Sequence, residues 1–225
     1  MTHTLHRQGT RDSLAHDFAV LVRTAAGYND TQESRDMVEV FLRLALKHNP
    51  VNIGNHAGNI HACGIDPIRD YISIKGSCNV VFACKEDLVG FLQDLQAIRF
   101  SLSVTVSGIE EIVREACSDC GITPHSVNMS LGIFGKTSKL PRPEVLQITT
   151  MCGHHQVSPY LVEDIVSKIK TEKITSREGA LKVVQPCPCG VVNIKRAEQI
   201  LNNLASQGRD EDVDERRIKG GSNET

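Results

Sequence analysis

Cysteines 152, 187 and 189 lie in two short segments, Thr150-Met151-Cys152-Gly153-His154-His155 and Pro186-Cys187-Pro188-Cys189-Gly190. Thiols beside imidazoles are the donor set of a soft-metal centre. A Cys-Pro-Cys pair between Pro186 and Gly190 suits neither a helix interior nor a sheet ladder, where buried structural cysteines ordinarily sit. Each segment leads toward a helix start. Ser158-Pro159 puts an N-cap serine before a first-turn proline, and Asn193 precedes the run Ala197, Ile200, Leu201, Leu204. Helix starts present unpaired N–H groups and partial positive charge, which stabilise thiolates. Between Cys152 and Cys187 the chain reads as two short helices that can fold back as a hairpin. The expectation is that Cys152, Cys187 and Cys189 meet at one centre.

Three thiolates with His154 or His155 satisfy a tetrahedral zinc site. Three thiolates alone suit a [4Fe–4S] cluster with one iron open or held by a further residue. A pair of Cys-x2-Cys knuckles, the common zinc pattern, is absent, and prolines flank the thiols. The [4Fe–4S] cluster is therefore the favoured expectation and Zn2+ the alternative. The stretch from Val51 to Gly64 is polar, glycine-rich and without clear period, and it carries His56, His61 and Cys63. Cys63 is the candidate fourth ligand. His56 and His61, with His154 and His155, are the candidate catalytic groups, able to bind substrate or move protons. An open metal position beside them would act as a Lewis acid on a small-molecule substrate, in lyase- or hydrolase-type chemistry. The alternative is a non-catalytic electron-transfer or metal-handling module docking on a redox partner protein, or a zinc-stabilised binding protein.

The remaining cysteines have plainer explanations. Cys117 and Cys120 form a Cys-x2-Cys, yet at 100° per residue they fall on or beside the apolar face of Ile109, Ile112, Val113 and Ala116. Cys78 and Cys84 share strand parity with Val80 and Phe82. All four read as core thiols. His3, His6 and Arg7 form a polar trio ahead of the first strand and read as surface decoration. Gly132-Ile-Phe-Gly135-Lys136-Thr137 lacks the spacing of a phosphate loop.

The elements that must position these groups follow from periodicity. Strands are expected over 17–23, 79–84 and 100–106, with further ones over 126–134 and 145–149. Helices are expected over 31–48, 86–99 and 109–120. From Ser158 the pattern is helical only, over 159–170, then from a capping box at Thr175–Glu178, then 193–206. This is an α/β or α+β sandwich over 1–150 followed by a small C-terminal helical cap over 151–206 that carries the cysteines. The tail, 207–225, is rich in charge and glycine and is expected to be disordered.

Composition narrows the function classes. In 225 residues the net charge is −2, which gives no basic footprint for nucleic acid. No apolar run approaches the roughly 20 residues of a membrane span, and Met1-Thr-His-Thr-Leu-His-Arg7 lacks a signal-peptide core. The expectation is a cytoplasmic protein with its 8 cysteines reduced. Its oligomeric state is not legible.

Overall fold

The computed structural model describes residues 3–220, with side chains described through residue 207. In chain order the elements are α1 (Arg11–Leu14), β1 (Phe18–Arg23), α2 (Gln32–Ala45), β2 (Asn52–Asn55), β3 (Gly58–Asn59), α3 (Ile60–Cys63), α4 (Asp66–Lys75) and β4 (Ser77–Phe82). They continue with α5 (Lys85–Ala97), β5 (Val104–Ser107), α6 (Glu110–Asp119), α7 (Pro143–Thr149), α8 (Pro159–Lys170), α9 (Ser176–Val184) and α10 (Ile194–Gly220).

The strands form one sheet in the order β3-β2-β4-β1-β5, with every neighbouring pair antiparallel. The fold is therefore α+β. Helix α2 links β1 to β2 and α5 links β4 to β5, the connectivity of a split β-α-β unit. Period-two alternation sends Phe18, Val20, Val22, Val80 and Phe82 to one face, against Phe41 of α2, Ile72 of α4 and Phe91 of α5. Ala19, Leu21 and Val81 point the other way, into a core shared with α7, α8, α9 and α10. Because both faces are covered, β4 is buried along its whole length, and β1 reads in sequence as an apolar run rather than an alternation.

The helical segment expected as a cap is thus a third layer, seated on the sheet through Ile148, Val162, Val184 and Leu201. Thr175 and Glu178 form the reciprocal capping box that opens α9. Asn193 Oδ1 accepts from the Arg196 N–H at 3.0 Å and caps α10.

Several expectations change. Residues 145–149 are helical, in α7, instead of a strand: Pro143 starts the helix, Glu144 sits in its first turn, and Val145, Ile148 and Thr149 bury one side. So short a window cannot separate the two periods. Residues 126–134 have a strand's alternation but pair with no strand. The stretch Val51–Gly64 contains the β2–β3 hairpin and α3. The tail expected to be disordered continues α10 to Gly220, and residues 221–225 lie outside the described residues. Among the described residues no helix is long and apolar enough to cross a membrane.

Candidate metal centre

Asparagines build the seat of the Cys-Pro-Cys loop. Asn52, Asn55 and Asn59 are all buried. A buried amide must find partners for its donors and acceptor, and here most of them are backbone groups of distant segments. Asn52 Nδ2 donates to Val192 O at 2.8 Å, and Asn59 Nδ2 donates to Cys187 O at 3.0 Å and Val184 O at 3.1 Å. From β4, Asn79 Nδ2 donates to Cys189 O at 2.8 Å. The polar stretch therefore holds the cysteine loop from beneath, where the sequence suggested a substrate-facing surface.

Glycine allows the loop to lie directly on the sheet. A Cβ at Gly54 of β2 would stand 2.6 Å from Pro188 O and 2.7 Å from Gly190 N. Gly190 itself has φ of +69°, a conformation open to glycine at little cost. Gly54→Ala is expected to push the loop off the sheet. The cost is about 1–3 kcal/mol of stability, measurable by urea unfolding.

A buried charge cluster fixes the neighbouring chain. Asp17 accepts from Arg7 on one oxygen and from Arg196 Nη1 at 2.8 Å on the other. Arg7 also donates to Val191 O, two residues beyond Cys189, and Arg196 Nη2 donates to Gln8 O at 2.6 Å. The N-terminal segment is thereby tied to the loop entering α10.

These brackets bring the thiols together. Cys152 and Cys187 are fully buried and Cys189 nearly so. Cys187 Sγ lies 3.5 Å from Cys189 Sγ, and Cys189 Sγ lies 3.7 Å from His154 Nδ1. Cys152 lies close enough to Cys187 for the two side chains to interact. Among the described residues, the donor atoms that all lie within 4.8 Å of one another are those of His3, His154 and Cys189, and Cys187 stands beside that group through Cys189. The His3 and His154 rings stack at a centroid distance of 4.4 Å. His3 Nε2 is buried without a hydrogen-bond partner, which costs free energy unless another group meets it. Gly153 makes the approach possible, since a Cβ there would overlap the His3 carbonyl.

The thiols share charge unequally. The hydrogen bond from Cys187 is the largest influence lowering the Cys189 thiol, with His3 and the Val191 N–H adding to it against burial. Cys152 is also lowered, first by Cys187 and then, against burial, by the Gln156 and His154 N–H groups. Cys187 is pushed up, because its proton serves both neighbours and it is deeply buried. The amides that stabilise the thiolates belong to their own turns and not to the first turns of α8 and α10. Burial raises the thiols of Cys78, Cys84, Cys117 and Cys120. Cys78 and Cys117 are buried core groups, while Cys84 and Cys120 are half-buried.

Comparison with protein-family models, curated proteins and solved structures finds no match. The site must speak for itself.

The other candidates stand elsewhere. His155 is exposed at φ +56°, its N–H closing a turn onto Cys152 O at 3.0 Å. His56 stacks on Tyr71, with ring centroids 5.9 Å apart. His61 Nε2 pairs with Val51 O at 2.9 Å, and Cys63 Sγ donates to Asn59 O at 3.3 Å while packing with the core of the sheet's other face. His3 is the residue that sequence reasoning missed. A histidine at position 3 carries no periodic signal, and only docking of the N-terminal segment brings it beside His154 and Cys189.

Proposed function

We propose that this is a metal-binding protein whose centre takes one thiophilic ion, Zn2+ in preference to a [4Fe–4S] cluster. Cys152, Cys187 and Cys189 supply thiolates and His154 the imidazole, with His3 beside it able to take that position. The observation that carries this reading is the pair of separations at Cys189, 3.5 Å to sulfur and 3.7 Å to nitrogen. Tetrahedral zinc with its usual bond lengths sets ligand atoms about 3.5–3.8 Å apart, whereas a cubane cluster holds cysteine sulfurs about 6 Å apart. The ligands come from the α7–α8 turn and the α9–α10 loop, with His3 of the N-terminal segment as the alternative imidazole. A bound ion would therefore clip distant parts of the chain together, and its binding energy would count as folding energy. Anaerobic purification followed by zinc, iron and sulfide analysis tests the assignment. About one zinc per chain and no sulfide is the expected result; stoichiometric iron and sulfide would overturn it.

A second reading, a metal-dependent enzyme acting on a small molecule, is favoured by the exposure of His154. A labile imidazole on the solvent side would leave the metal an exchangeable position that polarises a substrate oxygen. In the Co2+-substituted protein, an exchangeable position would let added azide change the visible bands. Bands that azide leaves unchanged would support closed, four-ligand coordination and a structural or metal-handling role.

A further inference from the structure

Strand β5 is the edge of the sheet, paired with β1 alone. Along its free side runs a groove of about 690 Å3, with β5 and α6 as one wall and residues 122–130 as the other. Its apolar lining includes Val104, Val106, Val113 and Leu95. Residues 126–130 of the opposite wall belong to the longer segment Ser126-Val-Asn-Met-Ser-Leu-Gly-Ile-Phe134, which alternates like a strand. Its apolar side chains are exposed: Met129 is 71% exposed and Leu131 85%, Val127, Ile133 and Phe134 are exposed too, and Val127 and Met129 face the groove. Among the described residues, no backbone group from 123 to 134 pairs with another backbone group. A free edge and an unpaired apolar strand sequence lie side by side, an arrangement that soluble monomers avoid.

The tethers of this arm give its direction. His125 Nε2 meets Ser103 Oγ at 3.4 Å, at the start of β5. Ser130 Oγ meets His6 Nδ1 at 2.9 Å, and nearby Thr4 Oγ1 meets Ser107 Oγ at 2.5 Å, at the end of β5. The arm therefore runs in the same sense as β5, with the groove between them. A strand inserted there would be antiparallel to both walls and would continue the antiparallel order of the sheet. A twofold axis beside the arm, midway between it and the groove, supplies such a strand, because the arm of a second copy then runs antiparallel to the first.

We infer that the protein is a twofold dimer in which residues 126–134 of each copy insert as a strand between β5 and the arm of the other. The resulting order is β5, partner arm, own arm, partner β5. Both free edges are closed by backbone pairing, and the exposed Val127, Met129 and Leu131 gain apolar neighbours. The occupant is a second copy because one chain carries both the acceptor groove and the inserting strand.

The test is sedimentation equilibrium on the full chain in its purified, metal-bearing form, paired with hydrogen exchange. Wild type is expected at twice the chain mass of 24.7 kDa. Leu131→Asp, a change at a solvent-facing site, is expected to raise the dimer dissociation constant at least about 100-fold, with circular dichroism and metal content unchanged. Met129→Asp serves as the second variant. In wild type, the amides of residues 104–107 that face away from β1, and those of 126–134, should be protected in the dimer and lose protection on dilution. A wild-type monomer at all accessible concentrations overturns the inference. So does an unchanged dissociation constant in both variants, or protection of 126–130 that persists in the monomer, which would mean the arm closes on its own sheet.

Discussion

Cys189→Ala is expected to strip the metal from the purified protein. Cys189 is the sulfur in contact with both Cys187 and His154, and His3 approaches it from the same side. Removing it leaves no donor between the thiol pair and the imidazoles. Structural zinc sites bind with about 10–16 kcal/mol spread over four ligands, so one ligand carries about 3 kcal/mol, a loss of at least about 100-fold in affinity. Metal per chain after dialysis against a chelator reads the effect directly. Cys117→Ala is the contrast. It opens a small cavity among the apolar side chains of the opposite sheet face and should lower stability while leaving metal content at the wild-type value. Stoichiometric, tightly held metal in Cys189→Ala would sink the proposed centre.

The second large effect belongs to Asp17. Its side chain is completely buried and serves two arginines, Arg7 and Arg196, which are themselves nearly buried. Asp17→Ala leaves two adjacent guanidinium groups out of water without their counter-charge. Breaking a buried pair in this way costs about 3–5 kcal/mol. For a chain of this length that corresponds to a fall in Tm of about 10 °C. Arg7→Met should cost less, because it leaves the neutral Asp17–Arg196 pair intact. The order of the two variants in thermal unfolding is therefore itself a prediction, and a milder Asp17→Ala would show that water reaches the arginines. Asp17→Ala should also loosen metal binding, since Arg7 would no longer be held against Val191 O beside the cysteine loop. Support of that kind is commonly worth about 10–100-fold in metal affinity.

Local sequence determined the elements whose signals are complete within one segment. The apolar run of β1, the periodic faces of α2, α5 and α6, the Thr175–Glu178 box and the Asn193 cap all depend on neighbours within a few residues. The Cys-Pro-Cys segment was conspicuous for a related reason, as its thiols fit no periodic element. Tertiary structure decided everything that required distant segments to meet. The polar stretch 51–64 carrying His56 and His61 read as substrate-facing, because a polar residue in sequence, such as Asn52, Asn55 or Asn59, does not reveal whether its partner is water, substrate or a buried carbonyl. Residues 145–149 took the helical period once α7 packed its Val145–Ile148 side into the core. His3 became a neighbour of Cys189 only because the Arg7–Asp17–Arg196 cluster ties the N-terminal segment beside the loop, and because Gly153 lets its backbone pass. Donor types are written locally, but the distances between them are set by packing across more than a hundred residues, and ligand separation is what distinguishes a single ion from a cluster.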